Sequence, residues 1–253
     1  MQWAARIALF SLASLAVVEG LRAPHPVTVR PAADAVFTPA RASSRPVTMA
    51  GTSPAFAGAV PAPAPHLADI ANPRVSSWVR RFSTTLKGDF AAALRRGRAY
   101  TPMISHKLEA RAMPQELVYL PLIESNYDPS ARSRVSAIGL WQFMAGTARE
   151  LGLSVGRHAD QRRDPAEETD AALAYLSQLH DRFDSWYLAA AAYNAGPGTV
   201  MRAMQRVLGR TTGSDTDFYR ISGHLPAETR DYGPKLVAAA RIGNDPVRYG
   251  LPD

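Results

Sequence analysis

No cysteine occurs among the 253 residues. The chain therefore forms no disulfide and no thiolate metal site, and it cannot carry a lipid on an N-terminal cysteine, so its stability must come from packing. The apolar run from Ile7 to Val18, preceded by Arg6, falls short of the roughly 20 residues that a bilayer-spanning helix needs. No recognisable nucleic-acid motif is present. The 29 Lys and Arg against 22 Asp and Glu give a formal charge of +7, but the arginines are scattered through helical segments rather than forming one block. An anionic partner is expected, and nucleic acid is not. His106, His158, His180 and His224 stand singly, so neither a metal nor an organic cofactor is expected.

Proline is plentiful but uneven, with nine of 20 before residue 70. Residues 1–23 have the length and pattern of a signal peptide or N-terminal hydrophobic segment, with cleavage after Gly20 or Ala23. Residues 24–67, rich in Pro and Ala and ending in Pro61-Ala-Pro-Ala-Pro65, read as a disordered linker. Residues 68–253 read as one domain. The chain is expected to be exported, to the periplasm, the cell envelope or beyond, or to be held at a membrane by an uncleaved N-terminal segment. A monomer is expected.

Residues 68–253 are expected to be all-α, because apolar residues recur at three- and four-residue spacing and no strand-like alternation persists. Trp78, Phe82, Leu86, Phe90 and Leu94 form one helical stripe. A short helix follows through Met103, Ile104 and Leu108, and a third starts at Pro114 and runs toward Glu124, with Pro121 as a kink. Asp164-Pro165-Ala-Glu167 reads as N-cap, first-turn proline and capping-box acid. Asp184 reads as the cap of the next helix, which Gly196 ends. Pro226 begins another helix. Alanine runs at 189–192 and 238–240 would let helices approach closely.

Leu120-Pro-Leu-Ile-Glu124-Ser-Asn-Tyr-Asp128 sets one carboxylate at the end of an apolar helical segment. Partial burial there would raise its pKa, as a general acid working near neutral pH requires; alone, the same pattern also fits a surface glutamate. Gly139-Leu-Trp-Gln142-Phe-Met144 places an amide and large apolar side chains in a loop entering a helix. Such a loop can hold an amide against a sugar N-acetyl group and an aromatic against its face. Ala192-Tyr193-Asn194-Ala-Gly196 ends a helix with a phenol, an amide and a glycine turn, and Glu228-Thr-Arg-Asp-Tyr232 adds a second phenol.

In this order the segments resemble the lytic murein transglycosylases of the soluble-lytic-transglycosylase superfamily, in particular the membrane-bound transglycosylase D type. Glu124-Ser125 matches that family's Glu-Ser motif. Gly139-Leu-Trp-Gln142, Ala192-Tyr-Asn-Ala-Gly196 and Glu228-Thr-Arg-Asp-Tyr232 match three more, and Arg163-Asp-Pro165 and Asn72-Pro-Arg-Val75 also look like the subgroup. Ala145-Gly146 and Gly233 depart from it. The resemblance implies a lysozyme-like helical domain acting on peptidoglycan glycan strands. It implies Glu124 as catalytic acid and base, and Ser125, Gln142, Met144, Tyr193, Asn194 and Tyr232 around the substrate. The expected reaction is non-hydrolytic cleavage between N-acetylmuramic acid and N-acetylglucosamine, leaving a 1,6-anhydro end. Asp128, the obvious rival carboxylate, lies in a natural Asp-Pro turn. A goose-type lysozyme, which is a hydrolase, and a non-catalytic wall-binding or secretion-associated protein are the alternatives.

Overall fold

The computed structural model describes residues 66–252. The expected export segment and nearly all of the expected linker lie outside the described residues. Leu67, placed in the linker by its sequence, is buried, and its N–H donates to Glu116 Oε2 at 3.2 Å. Among the described residues no helix is long and apolar enough to cross a membrane.

Ten α-helices make up the described domain: α1 Pro73–Ser83, α2 Lys87–Gly97, α3 Thr101–Glu109, α4 Leu120–Ser125, α5 Ala145–Glu150, α6 Pro165–Phe183, α7 Trp186–Ala195, α8 Pro197–Leu208, α9 Asp215–Ile221 and α10 Ala227–Asn244. Strands are absent among the described residues; isolated bridges join Arg132 to Ile138, Ile138 to Phe143 and Val155 to Asp160. The all-α expectation thus holds. Helix α7 is the centre, packed against α6, α8, α9 and α10. Its five alanines, 189–192 and 195, are buried, as are Ala238 to Ala240 on α10. Side chains this small bring helix axes close together.

The stripe from Trp78 to Leu94 is not one helix. Ser83 Oγ and Thr84 Oγ1 donate to the carbonyls of Val79 and Arg80, at 2.8 and 2.6 Å. Hydroxyls that compete for helical carbonyls favour a stop, and the chain turns before α2. Apolar continuity survives the turn, because Trp78 and Phe82 rings lie 5.4 Å apart and Phe82 and Phe90 4.6 Å.

The segment leading to Glu124 also divides. Pro114 is extended, residues Gln115–Tyr119 form a 3-10 turn, and α4 begins afresh with Pro121 in its first turn. Proline has no N–H to continue an earlier α-ladder, so the interruption falls there.

Asp164 caps α6 through bonds from Ala166 N and Glu167 N, at 2.9 and 3.1 Å. Asp184 does not cap α7. It ends α6 with a left-handed φ of 57°, and Ser185 caps α7 by accepting from Leu188 N at 3.2 Å. Replacing Asp164 with Ala is expected to cost about 1 kcal/mol in urea unfolding, since both first-turn donors lose their acceptor.

Candidate active site

Glu124 is the penultimate residue of the six-residue α4, where the helix dipole gives a carboxylate no support. The next two residues, Asn126 and Tyr127, both take positive φ, 55° and 57°, a strained choice for side-chain-bearing residues. Tyr127 is held there by complete burial and by its hydroxyl donating to Val118 O at 2.7 Å. Arg96 Nε donates to Asn126 O at 2.9 Å. The backbone around the acid is therefore fixed from both sides.

Tyr232, buried on α10, donates its hydroxyl to Glu124 Oε1 at 2.5 Å. Burial pushes the Glu124 carboxyl up to about 7; the Tyr232 bond and Lys235 pull it down, and Glu228 adds to the rise. Near pH 7 such a group is about half protonated and can both give and accept a proton.

Glu124, Gln142, Met144, Tyr193 and Asn194 line one cleft of about 330 Å³ with Phe143. Four of the expected substrate-facing side chains thus meet there. Ser125 and Tyr232 do not line it. Tyr232 stands behind the acid, and Ser125 Oγ lies 3.0 Å from Pro121 O and 2.8 Å from Leu140 O, tying α4 to the Gly139–Gln142 loop. Asn194 braces the end of α7 by accepting from Thr229 Oγ1 at 2.7 Å. Asp128 accepts from Ser130 N at 2.8 Å and Ser130 Oγ at 2.6 Å, an Asx turn.

The loop from Gly139 to Gln142 is closed by Ile138 and Phe143, whose backbones exchange two hydrogen bonds of 3.1 Å. Gln142 has a φ of 55° and donates through Nε2 to Gly139 O at 2.8 Å and Ala131 O at 3.4 Å. With the amide nitrogen turned to two carbonyls, its oxygen is left as an acceptor for the N–H of an N-acetyl group. Tyr193 donates to Trp141 O at 2.8 Å.

Sequence reasoning missed Glu168. Its fully buried carboxylate accepts from Leu140 N at 2.8 Å and Trp141 N at 3.0 Å, while Trp141 Nε1 bonds the neighbouring Thr169 Oγ1 at 3.0 Å. Burial pushes the Glu168 carboxyl well up, against the two N–H bonds and Arg162. Arg162, also buried, donates to Phe143 O at 3.1 Å and pairs with Asp160 at 2.7 Å. The loop's peptide groups are thus clamped from both sides: their N–H groups by Glu168, and their carbonyls by Ser125, Tyr193 and Gln142. A signal was present, because Glu168, Ala172, Leu176 and Leu179 share one helical face. A carboxylate on an apolar stripe marks an acid turned inward.

Glu150, at the end of α5, is a further carboxylate in the cleft, and it is exposed. Of the two departures from the motifs, Gly146 has open space around it. At Gly233 a Cβ would come within 2.9 Å of the Tyr187 ring, so the missing side chain permits the close packing of α10 on α7. Among the described residues no three His, Cys, Asp or Glu side chains are grouped to hold a metal.

Fold and site together define a helical domain with a cleft lined by Glu124 and the exposed Glu150. Residues 102–213 match the family model described as the transglycosylase SLT domain, a span that contains every cleft-lining residue named above and stops short of Tyr232. Over that span the chain is similar to the transglycosylase SLT domain. It is 41% identical over 157 residues to "Membrane-bound lytic murein transglycosylase D" of Escherichia coli (strain K12), covering 62% of this chain and 34% of that relative. It is 31% identical over 147 residues to "Membrane-bound lytic murein transglycosylase F 2" of Alkalilimnicola ehrlichii, covering 54% and 31%. The chain thus spans about a third of the length of these curated relatives. The crystal structure of the 70 kDa soluble lytic transglycosylase from Escherichia coli overlays with a TM-score of 0.48 at 25% identity, covering 57% of this chain and 24% of that one.

Proposed function

We propose that the protein is a peptidoglycan lytic transglycosylase of the cell envelope, cutting the β-1,4 bond between N-acetylmuramic acid and N-acetylglucosamine without water. The observation that carries this reading is Glu124, held near pKa 7 by burial at the floor of a sugar-sized cleft. Protonated Glu124 gives its proton to the glycosidic oxygen as the bond to the muramyl C1 breaks. The substrate's own acetamido group stabilises the positive charge at C1, as in substrate-assisted glycosidases. Ionised Glu124 then removes the proton of the muramyl O6 hydroxyl, which bonds to C1 and closes the 1,6-anhydro ring. Glu124 ends as it began, protonated.

In this reading the acceptor oxygen of Gln142 receives the N-acetyl N–H, Tyr193 and Met144 shape the cleft wall, and Asn194 keeps the end of α7 in place. Tyr232 donates to Glu124 in its ionised form and so supports the second half of the reaction. The hydrolytic reading of a goose-type lysozyme is favoured by one observation, Glu150 exposed in the same cleft, since a carboxylate there could activate water.

Mass spectrometry of digested peptidoglycan is the deciding experiment: anhydromuramyl ends are expected, and reducing muramyl ends would overturn the transglycosylase reading. The rate is expected to fall as pH rises past about 7, because the proton donor is lost with the Glu124 proton. Tyr232→Phe removes the bond that pulls the Glu124 pKa down, so the alkaline limb should move to higher pH. A limb that stays in place would remove Tyr232 from this role.

A further inference from the structure

Most of the net positive charge of the chain lies in one segment. Residues 73–98 carry seven basic side chains and one acid, Asp89, a net of +6, whereas residues 99–253 carry 17 basic and 18 acidic. The 73–98 segment folds into the hairpin of α1 and α2. Arg74, Arg80 and Arg81 on α1, Lys87, Arg95 and Arg96 on α2, and Arg98 just beyond it are all exposed. This segment precedes the 102–213 domain match, so similarity to that domain does not account for the charge.

The hairpin abuts the elements that carry the acid and its partner. Helix α1 lies along α10, which bears Tyr232, and α2 touches α4, which bears Glu124. Arg74 pairs with Asp231 at 2.8 Å, one residue before Tyr232. Arg96 bonds the carbonyl of Asn126, two residues past Glu124. Arg81 and Lys235 lie 4.3 and 4.7 Å from the Trp78 ring, joining the hairpin's charge to the Lys235 side of α10. Arg80, Lys87, Arg95 and Arg98 are in no salt bridge among the described residues.

We propose that the α1–α2 hairpin docks a polyanion running beside the cleft, and that its occupant is the carboxylate-bearing peptide stems of the glycan strand held there. The identity of the strand rests on the function proposed above. A glycan backbone is neutral apart from the carboxylates of its stems, so a basic face next to the acid is complementary to the stems and indifferent to the sugars. A lipid surface fits less well. Helices that settle into a bilayer interface add apolar side chains to their cations. Among the described residues the one large apolar side chain that is well exposed, Val247, lies on neither helix.

The test is co-sedimentation of the full chain carrying Glu124→Gln, so that binding is read without cutting. Three targets are compared over a range of salt: intact peptidoglycan, insoluble peptidoglycan whose stem carboxylates have been capped as methylamides by carbodiimide coupling, and vesicles containing phosphatidylglycerol. Binding to intact peptidoglycan is expected to weaken severalfold as screening rises between 50 and 200 mM salt. Adding Arg80→Glu, Lys87→Glu, Arg95→Glu and Arg98→Glu together should weaken it at least about tenfold at low salt, with the helical circular dichroism unchanged. Capped peptidoglycan should bind the parent as poorly as intact peptidoglycan binds the reversed variant. Equal binding of the two proteins to intact peptidoglycan would overturn the proposal, as would equal binding of the parent to capped and intact material. Preference for the vesicles would assign the surface to lipid instead. Reducing ends in the product analysis, with stem-dependent binding intact, would sink the transglycosylase reading and leave this one standing.

Discussion

Glu124→Gln is expected to lose about a thousandfold in release of soluble muropeptides and, at pH 8, to melt at a higher temperature than the parent. The two effects share one cause. The Glu124 carboxyl has its pKa raised from an ordinary 4.5 to about 7, so the folded state holds this proton more tightly than the unfolded chain. Stability associated with the group is therefore full below about pH 4.5 and is lost as pH rises through about 7. The loss amounts to at most about 3 kcal/mol once the group is ionised. Glutamine never ionises, yet it keeps an oxygen for the Tyr232 hydroxyl. The melting curves of parent and variant should nearly coincide at pH 4 and separate between pH 4.5 and 7, reaching roughly 5–10 °C for a domain of this size. Turnover within tenfold of the parent would remove Glu124 as the acid. A variant no more stable at pH 8 would show that the cleft does not penalise the charge.

Glu168→Ala is expected to destabilise the domain by about 3–5 kcal/mol, measured as a shift in the denaturant midpoint. It leaves the N–H groups of Leu140 and Trp141 buried without acceptors. Glu168→Gln keeps one acceptor oxygen and should fall between parent and Ala. Gly139→Ala should match or exceed the Ala loss, since Gly139 has a φ of +95° and an added Cβ would land on the Arg162 carbonyl and both Glu168 carboxylate oxygens. Neither the backbone nor a buried carboxylate can yield there. Loosening the loop also frees the anchors of Gln142 and Tyr193, so activity per folded molecule should drop with stability. A Glu168→Ala midpoint within about 1 kcal/mol of the parent would show that the loop stands without its clamp.

The elements legible in the sequence were those whose signal is local. The Asp164 cap, the glycine end of α7 and the buried alanine faces depend on residues a few positions apart. The cleft set was legible through motif order, because its members sit in short motifs near helix ends or in the loop that enters α5. Breaks in continuous patterns were not. Hydroxyls at Ser83 and Thr84 turn the chain without interrupting the apolar stripe, and Pro121 restarts a helix that periodicity alone would carry through. Glu168 was hidden by its surroundings: an acid in the first turn of a capped helix is ordinarily a solvated one, as the exposed Glu167 beside it is. The basic hairpin is countable in residues 73–98 of the sequence, but its position against α10 and α4 is set by packing that the sequence does not display.

Where the described domain starts has a mechanical consequence. The Leu67 side chain is buried, its N–H is bonded to Glu116, and Ala68 O accepts from the Tyr187 hydroxyl at 2.7 Å. Tyr187 belongs to the central helix, and Glu116 to the turn that leads into α4. Residues 67 and 68 are therefore fixed both to the central helix, which runs on through Asn194, and to the turn that leads into α4 and Glu124. The direction in which the cleft faces, seen from that point, is set when the domain folds.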